Sequence, residues 1–163
     1  MPFAYFLCGM PCSGKTWYRE RYYTATDYVH ISSDDVIEKV ARAVNQSYSD
    51  VFEDAAKFAN AFIIKTAKKA IAARKNIVWD QTNLTFKSRK KKLALFENLE
   101  YHKSIIIFPT PPLNVLKKRI EARGSAKFIP PQILENMKRS YVLPTIDEGF
   151  DVVNFLTEGD LDV

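Results

Sequence analysis

Cysteine, histidine and glycine are scarce in this chain, and each scarcity removes a class of protein. Two cysteines, Cys8 and Cys12, occur in 163 residues. They lie too close together to staple distant elements, so a disulfide scaffold is excluded and a reducing, cytoplasmic setting is expected. The two histidines, His30 and His102, have no metal-ligand spacing around them, and neither is assigned a catalytic role. No apolar run approaches the ~18 residues that a membrane span requires, which predicts no membrane association. The opening Phe3-Ala4-Tyr5-Phe6-Leu7-Cys8 has no basic residue before it, so it reads as a buried strand and not as a signal-peptide core. Repeats, low-complexity tracts and Ser/Gly-rich linkers are absent too, and a single domain over residues 1–163 follows. No requirement for an obligate protein partner is visible.

What is present is an ordinary globular composition, 47% hydrophobic and 26% charged, long enough to bury one core. Lys and Arg outnumber Asp and Glu by 24 to 19, a net +5. That modest excess suits an anionic ligand without choosing between ATP and nucleic acid.

Short apolar runs predict strands at 3–8, 28–31, 77–79, 104–108 and 152–156. Amphipathic stretches predict helices at 15–24, 34–44, 51–74, 86–99, 113–123 and 131–141. The alternation implies an α/β fold, a five-stranded parallel sheet covered by helices on both faces. In the long third helix, Phe52, Ala55, Ala56, Ala59, Phe62, Ile63, Ala67, Ala70 and Ile71 fall at helical spacing and are expected to form one core stripe.

Gly9-Met10-Pro11-Cys12-Ser13-Gly14-Lys15-Thr16 matches G-x-x-x-x-G-K-[ST] between a strand and a helix, the context this motif requires. Glycines let the backbone curl so that consecutive N–H groups point inward, and the helix N-terminus adds positive potential for phosphates. Gly9, Pro11, Cys12, Ser13, Gly14, Lys15 and Thr16 are therefore the expected ATP-binding residues. Lys15 is expected at the β- and γ-phosphates and the Thr16 hydroxyl on Mg2+. Cys8 is expected in the core, Cys12 as an exposed thiol near the phosphates.

Two further strand ends carry acid. Ser32-Ser33-Asp34-Asp35 follows the second strand, where a carboxylate facing the phosphate loop can orient a hydroxyl acceptor and take its proton. Asp34 is the candidate general base; helix capping accounts equally well for acidic residues at a helix start, with Asp35 in that role. Asp80, ending the third strand, is the candidate magnesium partner beside Thr16. Thr82 and Asn83 read either as acceptor-site hydrogen bonders or as a turn that caps the next helix.

Near 119–140 the chain is expected to form a lid. Arg119 and Arg123, four apart on one helix face before Gly124, are suited to stabilising charge on a transferring phosphoryl group. Basic residues in a last helical turn also simply favour the macrodipole. The remaining basic runs, 87–92 and 65–75, read as solvated helix faces.

Taken together, the Gly-x-Pro-x-Ser-Gly-Lys-Thr loop with Trp17 and Arg19-Glu20, then Ile31 to Asp35, Thr82-Asn83-Leu84, Arg119, Arg123-Gly124, Ile129-Pro130 and the tail Pro144 to Phe150 resemble the 5′-kinase domain of the polynucleotide kinase family, particularly its small phage enzymes. The resemblance spans nearly the whole chain. It implies an ATP- and Mg2+-dependent transfer of phosphate to the 5′-hydroxyl end of DNA or RNA. It also implies Asp34 as base, Arg123 on the ATP phosphate with Arg119 beside it, and Thr82-Asn83 at the acceptor pocket. Where the phage family has an arginine three residues after the base, this chain has Ile37. Gln81 replaces the acidic residue before Thr-Asn, with Asp80 one position earlier as in the eukaryotic version. No Asp-x-Asp-x-Thr motif occurs, so no 3′-phosphatase activity is expected. A kinase of a small acceptor (nucleoside, nucleotide or sugar) and an ATP-binding switch without transfer are the competing functions.

Overall fold

A computed structural model describes residues 1–124 and 127–161. Five strands, β1 (Phe3–Cys8), β2 (Tyr28–Ile31), β3 (Asn76–Asp80), β4 (His102–Ile107) and β5 (Val152–Phe155), form one sheet. Its order is β2-β3-β1-β4-β5, with every pairing parallel. Six helices connect them: α1 (Lys15–Tyr22), α2 (Ser33–Ala43), α3 (Tyr48–Ala72), α4 (Phe86–Leu93), α5 (Leu113–Ala122) and α6 (Pro131–Ser140). The expected α/β class, strand count and parallel sheet are all present.

Side-chain alternation along β1 sorts the core into two layers. Phe6 and Cys8 face one way, with Trp79, Ile105 and Ile107, against Ile63, Ala67 and Ala70 of α3. Leu7 faces the other, with Val78 and Ile106, against Tyr18 and Tyr23. Burial on both sides is what a parallel sheet demands.

The buried stripe of α3 runs through Val51, Ala55, Ala59, Ile63, Ala67, Ala70 and Ile71. Phe52 and Phe62, expected in that stripe, are 45% and 48% exposed. Small alanines on the inner face let α3 approach α2 and the sheet closely, and the bulky rings lie one position around the helix. Helix α4 stops at Leu93, short of the expected 99, passing into a 3-10 turn at Ala94–Phe96 with Asn98 in the left-handed region (φ 59°). Beyond α5, α6 is anchored through Leu134 to Met10, Leu84, Leu116 and Ile120. Leu134 of α6 and Ile120 of α5 thus pack together against Met10 of the loop after β1.

Candidate active site

The loops after β1, β2 and β3 all leave the same, C-terminal edge of the sheet, where doubly wound folds bind ligands. After the central strand β1, Gly9 donates its N–H to the Thr82 carbonyl at 3.0 Å. A side chain at position 9 would collide: a Cβ there would lie 2.9 Å from Phe108 Cβ and 2.7 Å from Ser13 Oγ. Cys12 and Gly14 both take positive φ, 61° and 95°. These left-handed steps curl the loop into the N-terminus of α1. Cys12 is half-buried rather than exposed, packed beside the Met10 cluster. Cys8 is a core residue as expected.

Lys15 is buried, its ammonium donating to the carbonyls of Gly9 (2.9 Å) and Met10 (2.7 Å). Burial pulls its pKa down, while the charges of Asp80 and Asp34 act the other way. Thr16 donates its hydroxyl to Asp80 Oδ2 at 3.2 Å. Arg19, one turn along α1 and buried, reaches the same Asp80 oxygen at 3.1 Å and Asp35 at 2.8 Å. Burial raises the Asp80 pKa, with Lys15 and Arg19 opposing. Thr16 and Asp80 are hard oxygen donors side by side, a set that suits Mg2+. Sequence reasoning placed Arg19 in a motif but gave it no role; it joins the carboxylate that ends β3 to the one in the first turn of α2.

On the neighbouring strand end, Ser32 caps α2 by accepting from Asp35 N–H at 3.2 Å. Capping by Ser32 and pairing by Asp35 leave Asp34 exposed at the first turn. Asp34 Oδ1 accepts a hydrogen bond from the Tyr48 hydroxyl at 2.7 Å. Gln81 bridges the two strand ends, accepting from Trp79 Nε1 and donating to Ser33 Oγ, each at 2.9 Å. Ile37 is buried in the α2–α3 seam with Ala41, Val51, Ala55 and Ala59. It therefore presents nothing to a ligand.

Thr82 lies half-buried beside the phosphate loop. Asn83 is different, and the expectation that it lines an acceptor pocket is corrected. It is buried in the left-handed conformation (φ 50°). Its amide donates to the carbonyls of Leu7 (2.7 Å), Gln81 (3.2 Å) and Trp79 (3.3 Å), and its Oδ1 accepts from Lys92. Every polar atom of that side chain holds the framework. Arg89 donates to the Asn83 carbonyl at 2.9 Å and makes a two-pronged pair with Glu148, both bonds at 2.7 Å.

The basic run 87–92 is therefore not uniformly solvated: Arg89 and Lys92 are buried, and burial pulls the Lys92 pKa down to about 7. The i, i+3 spacing of these two, set against the exposed lysines between them, is the signal that could have found them.

Arg119 donates to the Cys12 carbonyl at 3.0 Å, so α5 reaches the phosphate loop. Arg123 is the exposed C-cap of α5 and makes no ion pair among the described residues. Lys127, which follows it, is ion-paired with Glu38 of α2 and sits 4.9 Å from the Tyr48 ring centroid. Sequence reasoning missed Tyr48, Glu38 and Lys127, because no spacing links positions that meet only in the fold. No helix of the described residues is long and apolar enough to cross a membrane.

A family model described as AAA domain (AAA_33) matches residues 5–144. Among solved structures, a protein from Chloroflexus aurantiacus j-10-fl described as a candidate kinase superposes with TM-score 0.74 at 17% identity, covering 95% of this chain and 84% of that one. A chain of the Pnkp1/Rnl/Hen1 RNA repair complex superposes with TM-score 0.67 at 23% identity, over 85% of this chain but 43% of that chain. A gluconokinase from Sinorhizobium meliloti 1021 gives TM-score 0.56 at 17% identity, with coverage of 95% and 82%. At these identities the likeness is one of fold alone.

Proposed function

The chain belongs to the AAA domain family AAA_33, and from that premise we propose that it is an ATP-dependent phosphotransferase acting on a hydroxyl group, with Asp34 as general base. The observation that carries this is the hydrogen bond from Thr16 to Asp80 beside the buried Lys15 at the C-terminal edge of the sheet, with the exposed Asp34 carboxylate after the next strand. The acceptor oxygen attacks the γ-phosphorus, the bond from that phosphorus to the bridging oxygen breaks, ADP leaves, and the acceptor proton passes to Asp34. Lys15 and Arg123 stabilise charge on the transferring group, and Arg119 braces the loop through Cys12. Thr16 and Asp80 would hold Mg2+, which when bound neutralises charge on the phosphate oxygens.

For the acceptor, the motif set of the polynucleotide kinases and the likeness to the RNA repair chain support the 5′-hydroxyl end of DNA or RNA. A cytoplasmic setting agrees with two free cysteines. One observation favours a second reading, a small hydroxyl-bearing acceptor. The α2 position where the phage enzymes carry a phosphate-contacting arginine is Ile37, buried against α3, so that position offers no cation to a strand's phosphate.

The test is transfer of labelled γ-phosphate, with magnesium, to 5′-hydroxyl oligothymidylate and oligouridylate, thymidine, uridine, uridine monophosphate and gluconate. Labelled oligomers, with activity falling steeply as salt is added, support the first reading. Labelling confined to monomers supports the second, and tight ATP binding with no transfer would make the chain a nucleotide-binding switch.

A further inference from the structure

The base proposed above is an exposed aspartate, and nothing in its own helix fixes the plane of its carboxyl group. A terminal carboxylate torsion is broad and roughly two-fold, so an untethered Asp34 would present its oxygens in many directions. Proton transfer to it is fast only when one oxygen is held toward the acceptor. The tether comes from another helix: the Tyr48 hydroxyl donates to Oδ1 at 2.7 Å, and Oδ2 is the oxygen that would take the acceptor proton.

Tyr48 is itself enclosed. The Phe52 ring lies 5.6 Å away, centroid to centroid, and the Lys127 ammonium lies 4.9 Å from the ring centroid, a cation–π contact. Lys127 also pairs with Glu38, which lies one helical turn after Asp34 on the same face of α2. Burial, followed by the neighbouring Asp34 charge, pushes the Tyr48 pKa up, so the phenol remains a donor at any working pH.

A purely structural role for this tyrosine would be to pin α3 onto α2. That work is done elsewhere. The start of α3 is closed by the Ser47–Asp50 capping box, and the seam is filled by Ile37, Ala41, Val51, Ala55 and Ala59. The phenol reaches past both to Asp34, the carboxylate at the first turn of α2.

We propose that Tyr48 is a positioning residue for Asp34, and that Lys127, arriving from between α5 and α6, sets Tyr48 in place by pairing with Glu38 and covering its ring. The idea rests on Asp34 being the base. It adds that the acceptor side is complete only when Lys127 is paired with Glu38 and lies over the Tyr48 ring.

The experiment measures kcat and KM for ATP with whichever panel acceptor is labelled, or with water through ATP hydrolysis if none is. Variants are Asp34→Asn, Tyr48→Phe, Lys127→Met, Lys127→Arg and the doubles. Tyr48→Phe is expected to lower kcat by about 10- to 50-fold, leaving KM for ATP and the thermal midpoint unchanged. Lys127→Met is expected to lower kcat several-fold with recovery in Lys127→Arg. Residues acting through one another are non-additive, so Tyr48→Phe should cost nothing on top of Asp34→Asn, and Lys127→Met nothing on top of Tyr48→Phe.

If Asp34→Asn keeps full transfer, or no transfer occurs even to water, the base reading falls and the positioning role with it. If Asp34→Asn is inactive while Tyr48→Phe is as fast as wild type, the base stands and the positioning role is overturned. Multiplying losses in the Tyr48→Phe/Lys127→Met double would overturn the part given to Lys127. Should Tyr48→Phe fail to fold, Lys127→Met with its arginine rescue decides: wild-type kcat overturns the proposal, and a rescued loss supports it.

Discussion

The phosphate loop takes its functional atoms from one unbroken stretch, Gly9 to Thr16, whereas the acceptor side draws Asp34 and Glu38 from α2, Tyr48 from α3 and Lys127 from beyond α5. The first is fixed by local backbone geometry: two left-handed residues, a glycine that Phe108 and Ser13 leave no room to replace, and a helix start. The second exists only because α2 and α3 pack through small residues and α6 is anchored on Leu134. A contiguous device tolerates little change, while a site assembled from three segments can alter its acceptor by repacking a seam and leave ATP binding untouched. Ile37 is an apolar side chain of that seam, packed with Ala41, Val51, Ala55 and Ala59.

Substitutions break this contrast in graded ways. The largest effect is expected from Lys15→Ala, which removes the cation from the donor side. Transfer should fall by about 10³-fold or more, with weaker ATP binding, measured by steady-state transfer and calorimetry.

Next comes Arg89→Met, which strikes the frame shared by both sides. It leaves Glu148 buried without its partner and should cost about 3–5 kcal/mol in urea denaturation. Activity per folded molecule should change little, because the hydrogen bonds of Arg89 among the described residues go to Asn83 and Glu148.

A smaller effect follows from Lys92, whose pKa in the folded protein is about 7 against about 10.4 in an unfolded chain. The folded pKa is depressed, so above pH 7 the unfolded state binds the proton that the folded state has released, and stability rises with pH. Between pH 7 and 8.5 the gain should be about 2 kcal/mol. Lys15, also shifted down, adds in the same direction, and the buried Cys8 thiol, shifted up, opposes it at the alkaline end. Lys92→Met should flatten the slope in denaturation curves taken across that window, whatever its effect on absolute stability.

The smallest effect belongs to Phe62→Ser on the solvent side of α3, within about 0.5 kcal/mol of wild type and without change in transfer. The same substitution at Ile63 would open the core.

The same contrast explains what could be read from the sequence. The five strands and the phosphate loop were legible because their signals are local: apolar runs bounded by turns, and glycine spacing between a strand and a helix. The α3 stripe was misplaced at Phe52 and Phe62 because hydrophobicity does not say which of two adjacent helical positions faces inward when the inner face is alanine. Asn83 was ambiguous between turn and acceptor pocket, and of the three carbonyls its amide reaches, that of Leu7 is 76 positions away and only the fold brings it there. Arg89 and Lys92 sat in a run that looked solvated, because burial of a cation depends on a partner from elsewhere in the chain: Glu148 for Arg89, and the Asn83 amide oxygen for Lys92.

The central claim, that one cleft holds a nucleotide and a separate base for a hydroxyl, is tested most directly by comparing wild type and Asp34→Asn for ATP binding by calorimetry and for phosphate transfer in the same buffer. The account predicts ATP affinity unchanged within about twofold and kcat lower by about 10²- to 10⁴-fold. Equal transfer by the two proteins, or loss of ATP binding in the variant, would contradict it.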